Sequence, residues 1–453
     1  MSEETKPRSQ SRATLGLWMC TALVVGNMVG SGVFLLPASL GAYGGISIVG
    51  WLITTAGAMT LALVFSRLSR MMPSAGGPYA YTRRGLGDFA GFLVAWGYWN
   101  SIWTSNAAIA VAFVSYLTAF WPGLAGSNTM AAAIAIGSIW LLSWVNAAGV
   151  RNAGIVQLVT TILKLLPLVA IASLGLLYFN VEHFRPFNVS GTSSFSAISA
   201  TVALTLWAFL GLESATIPAD HVTEPSRTIP RATILGTVIA ACVYVLGTVA
   251  VMGILPPSAL AVSTAPFADA AREVWGGWAA YAVAGGAAIS CFGALNGWIL
   301  LQGQIPLAAA NDNLFPARFQ RLSGRNTPAF GILFSSVLVT LLILLNYTKT
   351  FVEQFNFIIL LATLHTLIPY VFSAMSQLMI YVKERTLFDT ERLLAPTLIA
   401  VLAFLYSLWA IVGAGMEIVY YGFLLLMVGV PVYVWIAWRR TETRDPEEET
   451  AEA

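Results

Sequence analysis

Charge is what this chain has least of. Lysine, arginine, aspartate and glutamate make up 10% of its 453 residues, where a soluble protein carries about a quarter. A surface facing water on every side cannot be built from so few. The net charge of +2 is too small to attract a nucleic acid, and no basic block with interleaved aromatics occurs, so no nucleic-acid partner is expected. Cys20, Cys242 and Cys291 lie apart in apolar runs without CxxC spacing, which argues against a disulfide framework and a zinc site. Neither an HExxH helix nor a pair of neighbouring acids suited to catalysis is found, so the expectation is no enzyme, no metal and no cofactor. A channel's symmetric filter and a receptor's soluble output domain are equally missing.

What the chain has in plenty is apolar: 57% of residues are hydrophobic and the mean hydropathy is +0.76. The apolar residues come in runs of about 20, the length that crosses a hydrocarbon core of about 30 Å as a helix. The fold class expected is an all-α membrane protein with twelve transmembrane helices, at 14–40, 46–70, 88–120, 129–149, 154–179, 196–217, 231–255, 275–303, 329–346, 351–381, 393–413 and 417–438. The first run is too long for a signal-peptide core and lacks a small-residue cleavage site, so it reads as an uncleaved span. On this division residues 1–13 form an N-terminal tail, 14–438 the membrane domain and 439–453 a charged, disordered tail ending DPEEETAEA. Lysines and arginines crowd the side of the two tails. Arg185, Arg272 and Lys349 lie opposite, and Lys164 falls inside a span. By the positive-inside rule both termini are cytoplasmic, in a multi-pass inner-membrane protein whose surroundings are the lipid bilayer.

Two spans look interrupted. Gly26-Asn27-Met28-Val29-Gly30-Ser31-Gly32 sits in the middle of the first, where each glycine weakens a helix by about 1 kcal/mol. Trp207 to Ser214 places a glycine and an acid at similar depth in the sixth. Close helix packing is the plainer account of such glycines, but a second interruption five spans later points elsewhere. Interruptions in spans one and six are the pattern of a five-plus-five inverted repeat, here about 14–179 and 196–381 with two further helices at 393–438, and its binding site lies between the unwound segments. Helix-start nitrogens there can hold a carboxylate and exposed carbonyls an ammonium group. An amino acid has both.

At these residues the sequence resembles the amino acid-polyamine-organocation superfamily and, within it, the basic amino acid/polyamine antiporters. GNMVGSGVFLLPA (Gly26–Ala38), GGPYAYTRR (Gly76–Arg84), LWAFLGLESA (Leu206–Ala215) and the neighbourhood of Gly297 and Trp298 carry the resemblance, which runs from about Leu15 to Trp438. It implies a leucine-transporter-like fold and exchange of a cationic amino acid of the arginine, lysine or ornithine class for its decarboxylated amine. It also implies roles. Ser31 and Gly32, with Asn27 nearby, match the segment that holds the substrate carboxylate; Trp207 and Trp298 match aromatics beside the substrate. Ser101 and Asn106 match contacts to its side-chain end, and Phe355 a further aromatic wall. Tyr98, Glu213 and Tyr370 match a hydrogen-bonded gating cluster, and Tyr79 a cytoplasmic-side gate.

The departures are Tyr81, where some polyamine carriers of the family have another glutamate, Ala362, where arginine/agmatine exchangers have a serine, and Lys164, where they have a small apolar residue. Lys164 resembles the lysine that stands in sodium-independent relatives where others bind a sodium ion. It keeps open an alternative, a proton-coupled symporter or a neutral amino acid exchanger. A homodimer is compatible with the sequence but not required by it.

Physical cost supports some of these assignments independently. An intramembrane carboxylate or ammonium costs at least about 2.5 kcal/mol on insertion scales, so Glu213 is expected to gate or sense protons and Lys164 to tether the first helix or carry a proton. Trp207 and Trp298 lie in mid-span, outside the interfacial belts that tryptophan usually populates, and an indole face attracts a cation by roughly 0.5–2 kcal/mol. His365 in its span is expected to be a packed residue more than a proton relay, and Asn100 and Asn296 interhelical hydrogen-bonding groups. His183 and His221 carry no assignment, and the sequon Asn188-Val189-Ser190 is a chance match.

Overall fold

In the computed structural model, residues 15–73, 77–148, 153–216, 219, 222–384 and 393–443 are described. Their regular structure is helical, with no strand among the described residues beyond an isolated bridge between Leu15 and Val222. The helices are α1 (Leu17–Met28), α2 (Ser31–Gly41), α3 (Ser47–Met71), α4 (Gly77–Leu86), α5 (Asp88–Leu117), α6 (Asn128–Ala148), α7 (Ala153–Leu174) and α8 (Ser194–Leu206). They continue as α9 (Pro225–Ile254), α10 (Pro257–Leu260), α11 (Pro266–Trp275), α12 (Gly277–Asn311), α13 (Ala329–Asn346), α14 (Phe351–Lys383), α15 (Leu394–Gly413), α16 (Met416–Met427) and α17 (Gly429–Thr443).

Ten helical segments among the described residues are long and apolar enough to cross a membrane. The outer surface is correspondingly apolar: Leu345 is 80% exposed and Met416 86%, an arrangement that suits hydrocarbon and not water. Two of the expected spans fall outside the ten. In the fifth, the shorter apolar stretch Leu163–Tyr178 is seen. The third, α5, is long but carries Asn100, Ser101, Thr104, Ser105 and Asn106, and is buried along nearly its whole length. It packs most extensively against α12 and α14. A helix shielded from lipid on all sides needs no apolar surface, because its polar groups bond to its neighbours.

Several boundaries differ from expectation for local reasons. The first break is narrower than Gly26–Gly32: α1 runs through Gly26 and Asn27, and only Val29 and Gly30 leave the helix. The last expected span divides at Val428 into α16 and α17, and α17 continues through Arg439 and Arg440 to Thr443. Residues 444–453, the N-terminal tail 1–13, His221 and Gly76 lie outside the described residues. The connection between α9 and α12 contains the short helices α10 and α11, each opened by a proline in its first turn. α14 starts at a capping box in which Thr350 and Glu353 satisfy each other's backbone N–H. α1 lies so close to α9 that a Cβ on Gly236 would come within 2.6 Å of Val24 Cγ1, and this contact holds the first broken span in place.

Candidate functional site

The two breaks meet. At the first, Val29 (φ −76°, ψ 82°) and Gly30 (φ −120°, ψ −135°) separate α1 from α2, and no side chain caps the start of α2, whose first N–H groups have no partner within the helix. At the second, α8 gives way to a 3-10 turn at Trp207–Phe209, an extended Leu210, and a second 3-10 turn at Ser214–Thr216. Between them Gly211 has φ +99°, a conformation that a side chain would strain. A Cβ there would lie 3.3 Å from Asn27 Cβ, so the second break is laid directly against the first.

Asn27, Ser31, Gly32, Trp207 and Trp298 line one cavity of about 20 Å³, joined by Met28, Gly30, Leu210 and by Ser105 and Ile109 of α5. That volume admits about one water molecule, so the walls are closed on each other. The Trp207 indole lies on the first break, where a Cβ on Gly32 would meet its Cδ1 at 2.9 Å. Phe355 packs edge-on behind Trp207 at 6.5 Å between centroids. The Ser31 hydroxyl is buried with no hydrogen-bond partner among the described residues. A free helix start, an unpaired hydroxyl and two indoles can receive a group that is anionic at one end and apolar or cationic beyond it.

Other expected site residues are near but not on this cavity. Ser101 accepts a hydrogen bond from Thr366 Oγ1 at 2.8 Å, and the same hydroxyl reaches the Ala362 carbonyl at 3.1 Å. Asn106 donates to Gln302 Oε1 at 2.8 Å. Ser105 and Ile109 were not singled out from the sequence, although Ser105 stands one helical turn from Ser101 and therefore on the same face.

Glu213 is fully buried and accepts from Tyr98 Oη at 2.6 Å and Tyr370 Oη at 2.7 Å. The bonds tie the segment after the second break to α5 and α14. Lys164, 1% exposed, donates from Nζ to the Gly26 carbonyl at 2.5 Å, reaching the last turns of α1 from α7. The His365 ring is buried with Nδ1 2.8 Å from the Leu361 carbonyl. Asn100 accepts from Trp103 Nε1 within its own helix, while Asn296 takes an interhelical bond from Asn146.

Tyr79 lies in α4, apart from the cavity, and donates to Asp312 at the end of α12. Burial, reinforced by the Asp312 carboxylate, holds its phenol well above the ordinary tyrosine value. Around it Arg83 bonds Asp88 at 2.8 Å and Asp312 at 3.3 Å, and Arg440 of α17 reaches Asp88 at 3.3 Å and the carbonyls of Asp312 and Asn313. Asp88, which accepts from Arg83, holds that guanidinium above its ordinary value. These partners were not read from the sequence: Arg83 and Asp88 are five residues apart, but the other pairs are separated by 127 residues or more, and arginines at a membrane edge are common.

Residues 15–436 match the model of the amino acid permease family. A cadaverine/lysine antiporter of Escherichia coli (strain K12) is 37% identical over 370 residues, 80% of this chain and 83% of that protein. The putrescine transporter PotE of Haemophilus influenzae is 32% identical over 429 residues, 94% of this chain and 97% of its own. The putrescine transporter PotE of Escherichia coli (strain K12) is 31% identical over 427 residues, with the same shares covered.

Proposed function

Because the chain belongs to the amino acid permease family and, within it, to the basic amino acid/polyamine antiporters, we propose that it exchanges a cationic amino acid of the lysine, arginine or ornithine class for its decarboxylated amine. The observation that carries the reading is the closed cavity between the two helix breaks, with the start of α2 and Ser31 at one side and Trp207 and Trp298 at the other. The carboxylate of the amino acid suits the α2 start, with Ser31, Gly32 and Asn27, and its aliphatic and cationic part suits the indoles. Ser101, Asn106, Phe355 and Ala362 would form the outer wall, which the substrate reaches only when the site widens. Relatives named for lysine and cadaverine and for putrescine support both an amino acid and a diamine as cargo.

Transport by alternating access requires the site to open to one side at a time. In this reading the protein has twelve spans in a five-plus-five inverted repeat with two additional helices, both termini in the cytoplasm and the inner membrane around it. Glu213 with Tyr98 and Tyr370 gates the site, and Tyr79 closes the cytoplasmic end. Lys164 holds α1 through the Gly26 carbonyl. That contact also favours a second reading, sodium-independent proton-coupled uptake. Proteoliposome counterflow separates the two: labelled lysine or arginine entering only against an internal amino acid or diamine identifies exchange, and uptake into empty vesicles driven by a proton gradient identifies symport.

A further inference from the structure

The Asn106–Gln302 pair lies one layer beyond the cavity. Ser105 and Ile109 of α5 line the cavity, and Asn106 is on the flank of that face. Trp298 of α12 lines it from the other side, and Gln302, four residues on, projects from the same face of α12. Both amides are fully buried. Their orientation is forced by a group that can only accept: the Ile332 backbone carbonyl takes a bond from Gln302 Nε2 at 3.0 Å, and Ser336 Oγ takes another at 2.9 Å. With its nitrogen committed to α13, Gln302 turns Oε1 towards α5. Asn106 must then present Nδ2, which donates to Oε1 at 2.8 Å, and its own Oδ1 is turned away with no hydrogen-bond partner among the described residues.

A buried acceptor left unpaired costs about 1–3 kcal/mol, and such a group in a native structure calls for an explanation. We infer that Gln302 is a specificity-determining positioning residue: by fixing the Asn106 amide it presents Oδ1, an acceptor and never a donor, to the cationic end of the substrate. The inference rests on the proposed function and deepens it. An ammonium or guanidinium group is donor-only and satisfies Oδ1, whereas a methyl or methylene end leaves it unpaired. A site built to bond a polar group rejects the analogue that lacks it far more strongly than an apolar pocket discriminates by size.

The test uses the full-length chain in lipid nanodiscs and measures the affinity of lysine or arginine, whichever the wild type binds more tightly, against norleucine, which has lysine's chain without the terminal nitrogen. Gln302→Met frees the Asn106 amide to rotate, and we expect the preference for the cation over norleucine to fall by about tenfold, a loss of 1.4 kcal/mol, with norleucine binding little changed. Asn106→Asp in that background supplies a carboxylate that accepts in either orientation and should restore the preference. Should Gln302→Met fail to fold, Gln302→Ala, which removes the same acceptor without adding bulk, should lose the preference in the same way and keep the cavity-lining residues unchanged. Equal losses for the cation and norleucine, or absence of rescue, overturn the inference and leave the proposed function standing. A wild type without preference for the cation overturns both.

Discussion

Three buried residues set the terms of the site. Gly32 has no room for a side chain, since the indole of Trp207 is already within 2.9 Å of where a Cβ would stand. Gly32→Val should therefore displace Trp207 and abolish substrate binding while detergent-solubilised protein still elutes as a folded monodisperse species; unchanged affinity would remove the cavity from consideration. Lys164 makes a single short bond to Gly26. Lys164→Ala removes the charge along with its partner's bond, so the penalty is that of one unsatisfied carbonyl, about 1–3 kcal/mol, and should appear as a lowered melting temperature together with a large loss of transport. Sodium should not stimulate the wild type, and uptake that rises with sodium would contradict the tether. Glu213 differs in kind, because two tyrosines donate to it. Tyr98→Phe or Tyr370→Phe each removes one hydrogen bond to a buried carboxylate, worth about 1.5–3 kcal/mol when the acceptor is charged, and exchange rates should fall in both.

At the scale of elements, the breaks depend on backbone conformation together with close contacts. Gly211 at φ +99° turns the chain between two 3-10 turns, and its neighbours Ser214 Oγ and Asn27 Cβ would stand 3.2 and 3.3 Å from an added Cβ. Gly211→Ala combines left-handed strain of about 1–2 kcal/mol with crowding against the first break. Transport should drop more than thermal stability, because the strained segment forms the cavity wall through Leu210; a variant with normal exchange would show that the break is not mechanically important. Both interruptions were legible beforehand because glycine and small polar residues are out of place in an apolar run. Their limits were not, since Gly26 and Asn27 keep helical geometry once α9 packs against α1. The third span was read from length and general apolarity, but its centrality was hidden: only the packing of α12 and α14 around it explains why Asn100 to Asn106 can lie at depth. The short helices α10 and α11 and the division at Val428 gave no periodic signal long enough to notice. Asn106 was visible as a buried amide, while its orientation depends on Ile332 and Ser336, in a helix more than 200 residues away.

For the whole molecule, the contrast between two of its polar clusters decides which of them can open readily. The Glu213 cluster is fully buried, so separating it strands a carboxylate away from water. The cluster joining α4, α5, α12 and α17 is half in solvent: the side chains of Arg83, Asp88, Asp312 and Arg440 are 37%, 42%, 47% and 33% exposed. Exposed ion pairs contribute about 0–1 kcal/mol each, so this latch can break and re-form at low cost, and its strength depends on salt. Raising ionic strength from 0.1 to 1 M shortens the screening length from about 10 Å to about 3 Å and should speed thiol labelling of Ser105→Cys, in a chain lacking Cys20, Cys242 and Cys291, from the side that carries the latch. Asp312→Ala, which removes the acceptor of both Tyr79 and Arg83, should label quickly at either salt concentration. Tyr79 adds a pH signature. Its raised value means that its contribution is complete below the ordinary tyrosine value of about 10 and is lost as pH climbs through the raised one. Labelling, expressed relative to a small free thiol at the same pH because the thiolate is the form that reacts, should therefore be flat from neutrality to about pH 9 and begin to rise only above 10, and Tyr79→Phe should remove that rise while labelling faster throughout. A wild type whose labelling ignores both salt and alkaline pH would mean that these residues do not restrain the opening of this end.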